Sequence, residues 1–261
     1  MSEKIVVKMG GSTLDSENIL VEFASALALA LVPAGSRIAV VHGGGKDIGR
    51  QLGRMGREFT FIDGLRVTDG EIIDVVEMVL SGLVNKWIVR AIEREGLRAV
   101  GISGTDLGLF RAVKLVVKGG DLGYVGAIEE VNTELVDLLL DRGIIPVVSP
   151  ISIGPEHRAY NVNADHAAQK LAEVWRADHL IYITDVPGVR VGGEVRGEIR
   201  IGEVERLIAS GEVTGGMIPK LMSSASAVMN GVGSVHIIGW KGRESIAGSL
   251  RRENRWGTVI C

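Results

Sequence analysis

Two lysines stand where a buried element has little use for them. Lys8 closes the apolar run Ile5-Val6-Val7, and a strand covered on both faces does not end in an ammonium group unless that charge faces something negative. Gly10 and Gly11 follow at once, and glycines let backbone N–H groups approach a ligand closely. Far along the chain, Thr214-Gly215-Gly216-Met217-Ile218-Pro219-Lys220 opens a helical segment. Lys220 falls in its first turn, where the helix dipole disfavours a cation by roughly 0.3–1 kcal/mol. Each lysine is accounted for by a local anion, and for Lys8 a phosphate at the strand's C-terminal edge. A lysine reaching into solvent beside an ordinary glycine turn satisfies the same residues.

Other residues have the same character. Gly43-Gly44-Gly45 follows the run Arg37-Ile38-Ala39-Val40-Val41-His42 and precedes a helix from Lys46 to about Arg57. Backbone amides between a strand end and a helix start make an anion site. The loop is not a Walker A motif, because Asp47 stands where Ser or Thr is needed, nor does it have the dinucleotide GxGxxG spacing. Phe59-Thr60-Phe61 and Leu65-Arg66-Val67 flank a turn at Ile62-Asp63-Gly64, so Arg66 lies on the returning strand of a hairpin, either offering its fork to a carboxylate or solvated at an edge. Asn161-Val162-Asn163-Ala164-Asp165 opens a helix whose buried stripe is Ala164, Ala167, Ala168, Leu171, Ala172 and Trp175. Asp165 lies off that stripe, in the first turn, where an aspartate also serves the helix dipole alone.

The elements that must position these residues alternate. Strands are expected at 4–9, 37–42, 97–101, 144–150, 178–183, 235–238 and 258–260, with helices at about 17–32, 46–57, 69–94 and 132–142, one opened by 161–165, one from 217 and a short one from about 243. Such alternation predicts an α/β fold, an open and mostly parallel sheet between layers of helices. The 111–128 stretch reads as an antiparallel ribbon, 152–160 as a polar loop and 190–200 as an exposed hairpin. The 69–94 helix has two apolar faces, Ile72, Val76, Val79, Leu83 and Ile73, Leu80, Val84, Ile88, Ala91. One covers the sheet and the other meets a second subunit, unless the helix is sandwiched within one chain. The helix from 217 is expected to pack Met217, Leu221, Ala225, Val228 and Met229.

Composition narrows the partners. The 261 residues carry a net charge of −3, 46% hydrophobic and 4% aromatic residues. No basic stripe suits a nucleic acid and no apolar run reaches about 18 residues. The one cysteine, Cys261, makes an internal disulfide impossible and suggests a reducing compartment, the cytoplasm by default. No signal segment opens the chain.

Together, Lys8-Met9-Gly10-Gly11, His42-Gly43-Gly44-Gly45, Gly64-Leu65-Arg66-Val67-Thr68, Asn161-Val162-Asn163-Ala164-Asp165, Thr184-Asp185-Val186 and Gly216-Met217-Ile218-Pro219-Lys220 resemble, in order and spacing, the acetylglutamate kinases of the amino-acid kinase family. The resemblance implies an αβα three-layer domain over 1–261. An N-lobe of about 1–172 would hold N-acetyl-L-glutamate and a C-lobe of about 173–261 would hold ATP with Mg²⁺, the metal bound mainly through the nucleotide phosphates. Lys8 and Lys220 would grip the migrating phosphoryl group and Asp165 would orient both. Gly10, Gly11, Gly44 and Gly45 would offer N–H groups to phosphoryl oxygens, Arg66 and Asn161 would bind the acetylated amino acid, and Thr184, Asp185 and Met217 would lie near the nucleotide. No protein metal site is implied.

A glutamate side chain, with a pKa of about 4.3, needs no base, so His42 is read as structural. His166 stands where glutamine is expected after the aspartate. Only seven residues precede Lys8, leaving no room for the N-terminal helix that links dimers into hexamers in arginine-inhibited relatives; a homodimer insensitive to arginine is the expectation. Competing readings are a kinase of carrier-linked aminoadipate or glutamate, a kinase of isopentenyl phosphate or a phosphonate, and a non-catalytic nucleotide or amino-acid sensor.

Overall fold

The computed structural model describes residues 2–10, 16–31, 35–252 and 256–261. They fall into two compact units, Met1–Ile38 with Ala168–Cys261, and Ala39–Ala167. The two lobes expected from the sequence were contiguous, whereas the N-terminal residues here group with the C-terminal segment. Strand pairing is the reason. Lys4–Met9 lies parallel to His179–Thr184, with Ile5 opposite His179 and Lys8 opposite Tyr182.

The strands of the first unit run in the order Glu198–Ile199, Thr258–Ile260, Ser234–Gly239, His179–Thr184, Lys4–Met9. All pair in parallel except Thr258–Ile260 against Ser234–Gly239. Their interior is aliphatic, with Ile5, Val6, Val7, Leu180, Ile181, Val235 and Ile237 fully buried. Helix Glu17–Leu31 buries Leu20, Phe23, Ala24, Leu27 and Ala30, the three- and four-residue spacing of one helix face. Helix Met217–Met229 buries Leu221, Ser224, Ala225 and Ala227. Met229, expected in that stripe, is 68% exposed, since it lies about 80° around the helix from Leu221 and in the last turn. The hairpin expected over 190–200 is Arg190–Val191 against Glu194–Val195, with Gly192 and Gly193 at φ 61° and 90°.

In the second unit, Ile145–Ser149 lies between Arg37–His42 and Ala99–Ser103, all parallel. A small closed barrel adjoins them in sequence. It consists of Ala159–Val162, Val125–Val131, Phe110–Lys114 and Ile151–Ile153. The ribbon expected over 111–128 is the antiparallel pair within it. The 152–160 stretch is not simply a polar loop: it contributes two barrel strands joined through the 3-10 turn Pro155–His157. Ala159–Val162 also pairs with Val125–Val131 and Ile151–Ile153 with Phe110–Lys114, both distant in sequence, so local pattern gives no warning of these pairings.

The 69–94 helix begins with Asp69, whose Oδ1 accepts from the Glu71 and Ile72 amides at 3.0 and 2.8 Å. It runs as Gly70–Glu77, then a π-helical stretch Met78–Val84, then Asn85–Arg94. Of the two apolar faces, every residue but Leu83 is already buried within the chain.

Candidate active site

In the first unit a cavity of about 440 Å³ opens at the C-terminal ends of the strands. Lys8, Gly10, Thr184, Asp185, Met217 and Lys220 line it, so six of the residues singled out from the sequence meet here. Period-two alternation places Lys8 at the rim: Val7 and Met9 on either side are fully buried and Lys8 is half-buried. A side chain at Gly10 would collide with the Lys8 ammonium, so admitting one would move the lysine tip. Lys220 Nζ stands 5.5 Å from the ring centre of Tyr182, the residue that pairs with Lys8. The Lys220 contact with this buried ring is a cation–π interaction.

Gly216, which precedes the helix bearing Lys220, also lines the cavity. That helix directs its N-terminal amides and positive dipole end at this space. Thr184 Oγ1 donates to the Val186 carbonyl at 2.9 Å and accepts from the Val186 amide, fixing the turn at the strand end. A further cavity of about 290 Å³ adds Gly239, Trp240 and Lys241 beside Thr184 and Asp185. Sequence reading passed over Tyr182, Trp240 and Lys241. Their signal was available only as residues flanking strand ends.

The second unit has its own cavity of about 210 Å³, lined by Gly43, Gly44, Gly45, Arg66, Asn161 and Asn163 among others. Arg66 reaches it from the expected hairpin, Phe61–Ile62 against Leu65–Arg66, with Asp63 and Gly64 at φ 50° and 77°. Two successive positive φ values are those of a type I′ turn. The guanidinium lies 3.9 Å from the ring centre of Phe59 and 4.9 Å from that of Phe61. Its Nη2 donates to the Gly45 carbonyl at 3.0 Å. Its Nη1 is buried and meets no acceptor among the described residues. Burial pulls the pKa of this group below its ordinary value, so a buried anion at Nη1 would be welcome.

Asn161 Nδ2 donates to Thr68 Oγ1 at 3.3 Å, and Thr68 Oγ1 donates to the Arg66 carbonyl at 2.8 Å. The hydroxyl of Thr68, wholly buried, therefore joins the asparagine to the arginine. Asn163 caps the helix Ala164–Trp175 through Oδ1, which accepts from the Asp165 and His166 amides. Asp165 occupies the first turn as expected but is not among the residues lining either cavity. His166 plays a structural part, because its Nε2 accepts from the Ile128 amide at 3.1 Å and so holds the barrel strand. Gly11 lies outside the described residues.

These features belong to a known class. The profile of the amino acid kinase family matches residues 3–239, and the chain belongs to that family. An acetylglutamate kinase from Halorhodospira halophila is 42% identical over 267 residues, covering 98% of this chain and 89% of the relative. Among solved structures, smu.665 from Streptococcus mutans is 29% identical with a TM-score of 0.79, covering 100% of this chain and 99% of that one. Carbamate kinase from Giardia lamblia, at 16% identity and a TM-score of 0.70 over 99% of this chain and 98% of that one, shares the αβα fold.

Proposed function

We propose that this chain transfers the γ-phosphoryl group of ATP to the side-chain carboxylate of N-acetyl-L-glutamate, giving N-acetylglutamyl 5-phosphate and ADP. It is a phosphotransferase with a carboxyl acceptor, a step of arginine biosynthesis, as its acetylglutamate kinase relatives are. The observation that carries the acceptor is Arg66 Nη1, buried without an acceptor among the described residues, in a cavity lined by Gly44, Gly45 and Asn161. A carboxylate satisfies that nitrogen, and the guanidinium, packed against the Phe59 and Phe61 rings, presents it in a fixed direction.

Lys8, Lys220, Gly10 and the helix end at Met217 suit the triphosphate, with Thr184 and Asp185 at the nucleotide's edge. The acceptor is an anion at neutral pH, so no base is needed; what must be overcome is repulsion between two anions. In this reading the two ammonium groups neutralise charge on the transferring phosphoryl group, with Lys220 toward the departing ADP oxygen and Asp165 orienting both. Gly10, Gly11, Gly44 and Gly45 give N–H groups to phosphoryl oxygens. Mg²⁺ supplies further positive charge to the phosphates.

The chain works in this reading as a cytoplasmic homodimer; no helix among the described residues is long and apolar enough to cross a membrane. Exposed Met78 and Leu83 on the 69–94 helix are the apolar contribution to such an interface. The test is hydroxylamine trapping of an acyl phosphate. Hydroxamate should form with MgATP and N-acetyl-L-glutamate, and much less with glutamate, aminoadipate or isopentenyl phosphate. Its absence with the acetylated amino acid would refute the proposal.

A further inference from the structure

His42 sits directly before the glycine loop and takes no part in the chemistry above. It is wholly buried, as is Asn85. Asn85 Nδ2 lies 3.1 Å from His42 Nε2 and 2.8 Å from the Val147 carbonyl, while Lys86 Nζ donates to Asn85 Oδ1 at 3.0 Å. Lysine is only a donor, so the amide of Asn85 has one orientation: oxygen toward Lys86, nitrogen toward the histidine. Asn85 Nδ2 also lies 3.3 Å from the Ile102 carbonyl, and it is the Gly43 carbonyl, able only to accept, that settles the tautomer, leaving the lone pair on His42 Nε2 toward the Asn85 NH₂. The proton is on Nδ1, which donates to the Gly43 carbonyl at 2.9 Å.

That hydrogen bond has a geometric consequence. In a planar trans peptide the carbonyl of one residue and the N–H of the next point in opposite directions. A Gly43 carbonyl turned toward His42 turns the Gly44 N–H away from it. Gly43 and Gly44 both line the 210 Å³ cavity, and no hydrogen bond of the Gly44 amide to the described residues is found.

The same helix holds the loop at a second point. A Cβ at Gly44 would lie 2.7 Å from Leu80 Cδ2 and 3.3 Å from Val84 Cγ2, both in the π-helical stretch that ends immediately before Asn85. π-helical turns mark functional sites more often than their rarity predicts. Gly101 clears the space for this arrangement, because a side chain there would collide with Asn85 Oδ1 and Lys86 Nζ.

We infer that Asn85 and His42 are positioning residues: a neutral histidine, in its Nδ1–H form with Nε2 accepting from Asn85, sets the Gly43–Gly44 peptide so that the Gly44 amide faces the transferring phosphoryl group. The inference rests on the functional reading above, in which that amide meets phosphoryl oxygen.

Two substitutions separate this role from mere packing. Asparagine places its amide near the position of imidazole Nδ1, glutamine near that of Nε2. His42→Asn should retain the donor to Gly43, and His42→Gln should lose it. We expect kcat of His42→Gln to fall about 10–100-fold with KM for ATP unchanged, as misaiming one group by an ångström does. His42→Asn should stay within about threefold of the wild-type kcat. Equal loss in both variants, or in neither, overturns the inference.

Should the variants not fold, ¹⁵N spectra of histidine-labelled wild-type protein decide it. A neutral Nδ1–H tautomer for His42 is expected under the assay conditions; an Nε2–H tautomer or an imidazolium there overturns it. Absence of hydroxamate from the wild type counts against the functional reading alone, and the tautomer then decides the inference.

Discussion

The two cavities present positive charge by different means. The larger, at the strand ends of the first unit, uses ammonium groups on long stems, Lys8 and Lys220, around a space of about 440 Å³. The smaller, in the second unit, has a planar guanidinium packed against Phe59 and Phe61 and the backbone of a glycine loop, around about 210 Å³. An ammonium group is a point charge that can follow a moving group, whereas a held guanidinium fixes direction. The contrast assigns rate to the lysine cavity and selectivity to the arginine cavity, and each assignment can be broken.

The largest effect is expected for Lys8→Ala and Lys220→Ala. Each should lower kcat about 10²–10³-fold, or about 3–4 kcal/mol, the loss of one transition-state donor. Steady-state kinetics on folded variants check this, and unchanged turnover would end the division of labour. Arg66→Lys should instead act on the acceptor: KM for N-acetyl-L-glutamate should rise about 10–100-fold, in line with about 1.5–3 kcal/mol for a hydrogen bond to a charged group, while KM for ATP holds. A loss confined to kcat would erase the contrast.

Acid should distinguish the units in another way. His179 and His236 pack edge to face in the first unit, with ring centres 5.2 Å apart. Burial pushes the His236 pKa down to about 3, and burial also lowers that of His179. Above about pH 6.5 both the folded and unfolded forms of His236 are neutral and its contribution is complete. Below that, only the unfolded chain takes up the proton, so stability falls by about 1.4 kcal/mol per pH unit until the folded value is reached, or about 2 kcal/mol by pH 5. Denaturant titrations from pH 7.5 to 5 measure the slope, and His236→Asn should flatten it. His179 starts the strand whose far end, Thr184, lines the lysine cavity, roughly 16 Å away. The acid effect should therefore appear in stability before kcat.

Gly10→Ala makes the smallest and most local change. Its methyl group displaces the Lys8 ammonium, and kcat should fall about tenfold, less than on removing the lysine. A kcat equal to wild type would mean that Lys8 works from some other position.

Much of this was legible because it is punctuation. Strand, glycines, helix start is a pattern that the chain announces at Gly10 and at Gly43–Gly45, and Asp63-Gly64 announces its turn. The barrel was not legible, since Ile151–Ile153 and Ala159–Val162 are short and pair with partners distant in sequence. Nor was the part played by Asn85, which in the sequence is one polar residue in a helix. Its role requires a π-helical stretch, a glycine on another strand and a histidine on a third. Arg66 could be placed on a hairpin from sequence, but its bare Nη1 and its two aromatic neighbours depend on packing. Asp165 was located correctly in a first helical turn, where dipole compensation and catalysis leave the same trace.

The grouping of the first 38 residues with the last 94 has a consequence for the making of this protein. The amide of Lys4 bonds to a carboxylate 174 positions later, so the segment bearing the first lysine emerges from the ribosome long before its partner strand exists. At about 5–20 residues per second that interval is roughly 9–35 s. For that time one edge of a nascent apolar strand stays open, and a chaperone that shields it should raise the yield of active enzyme.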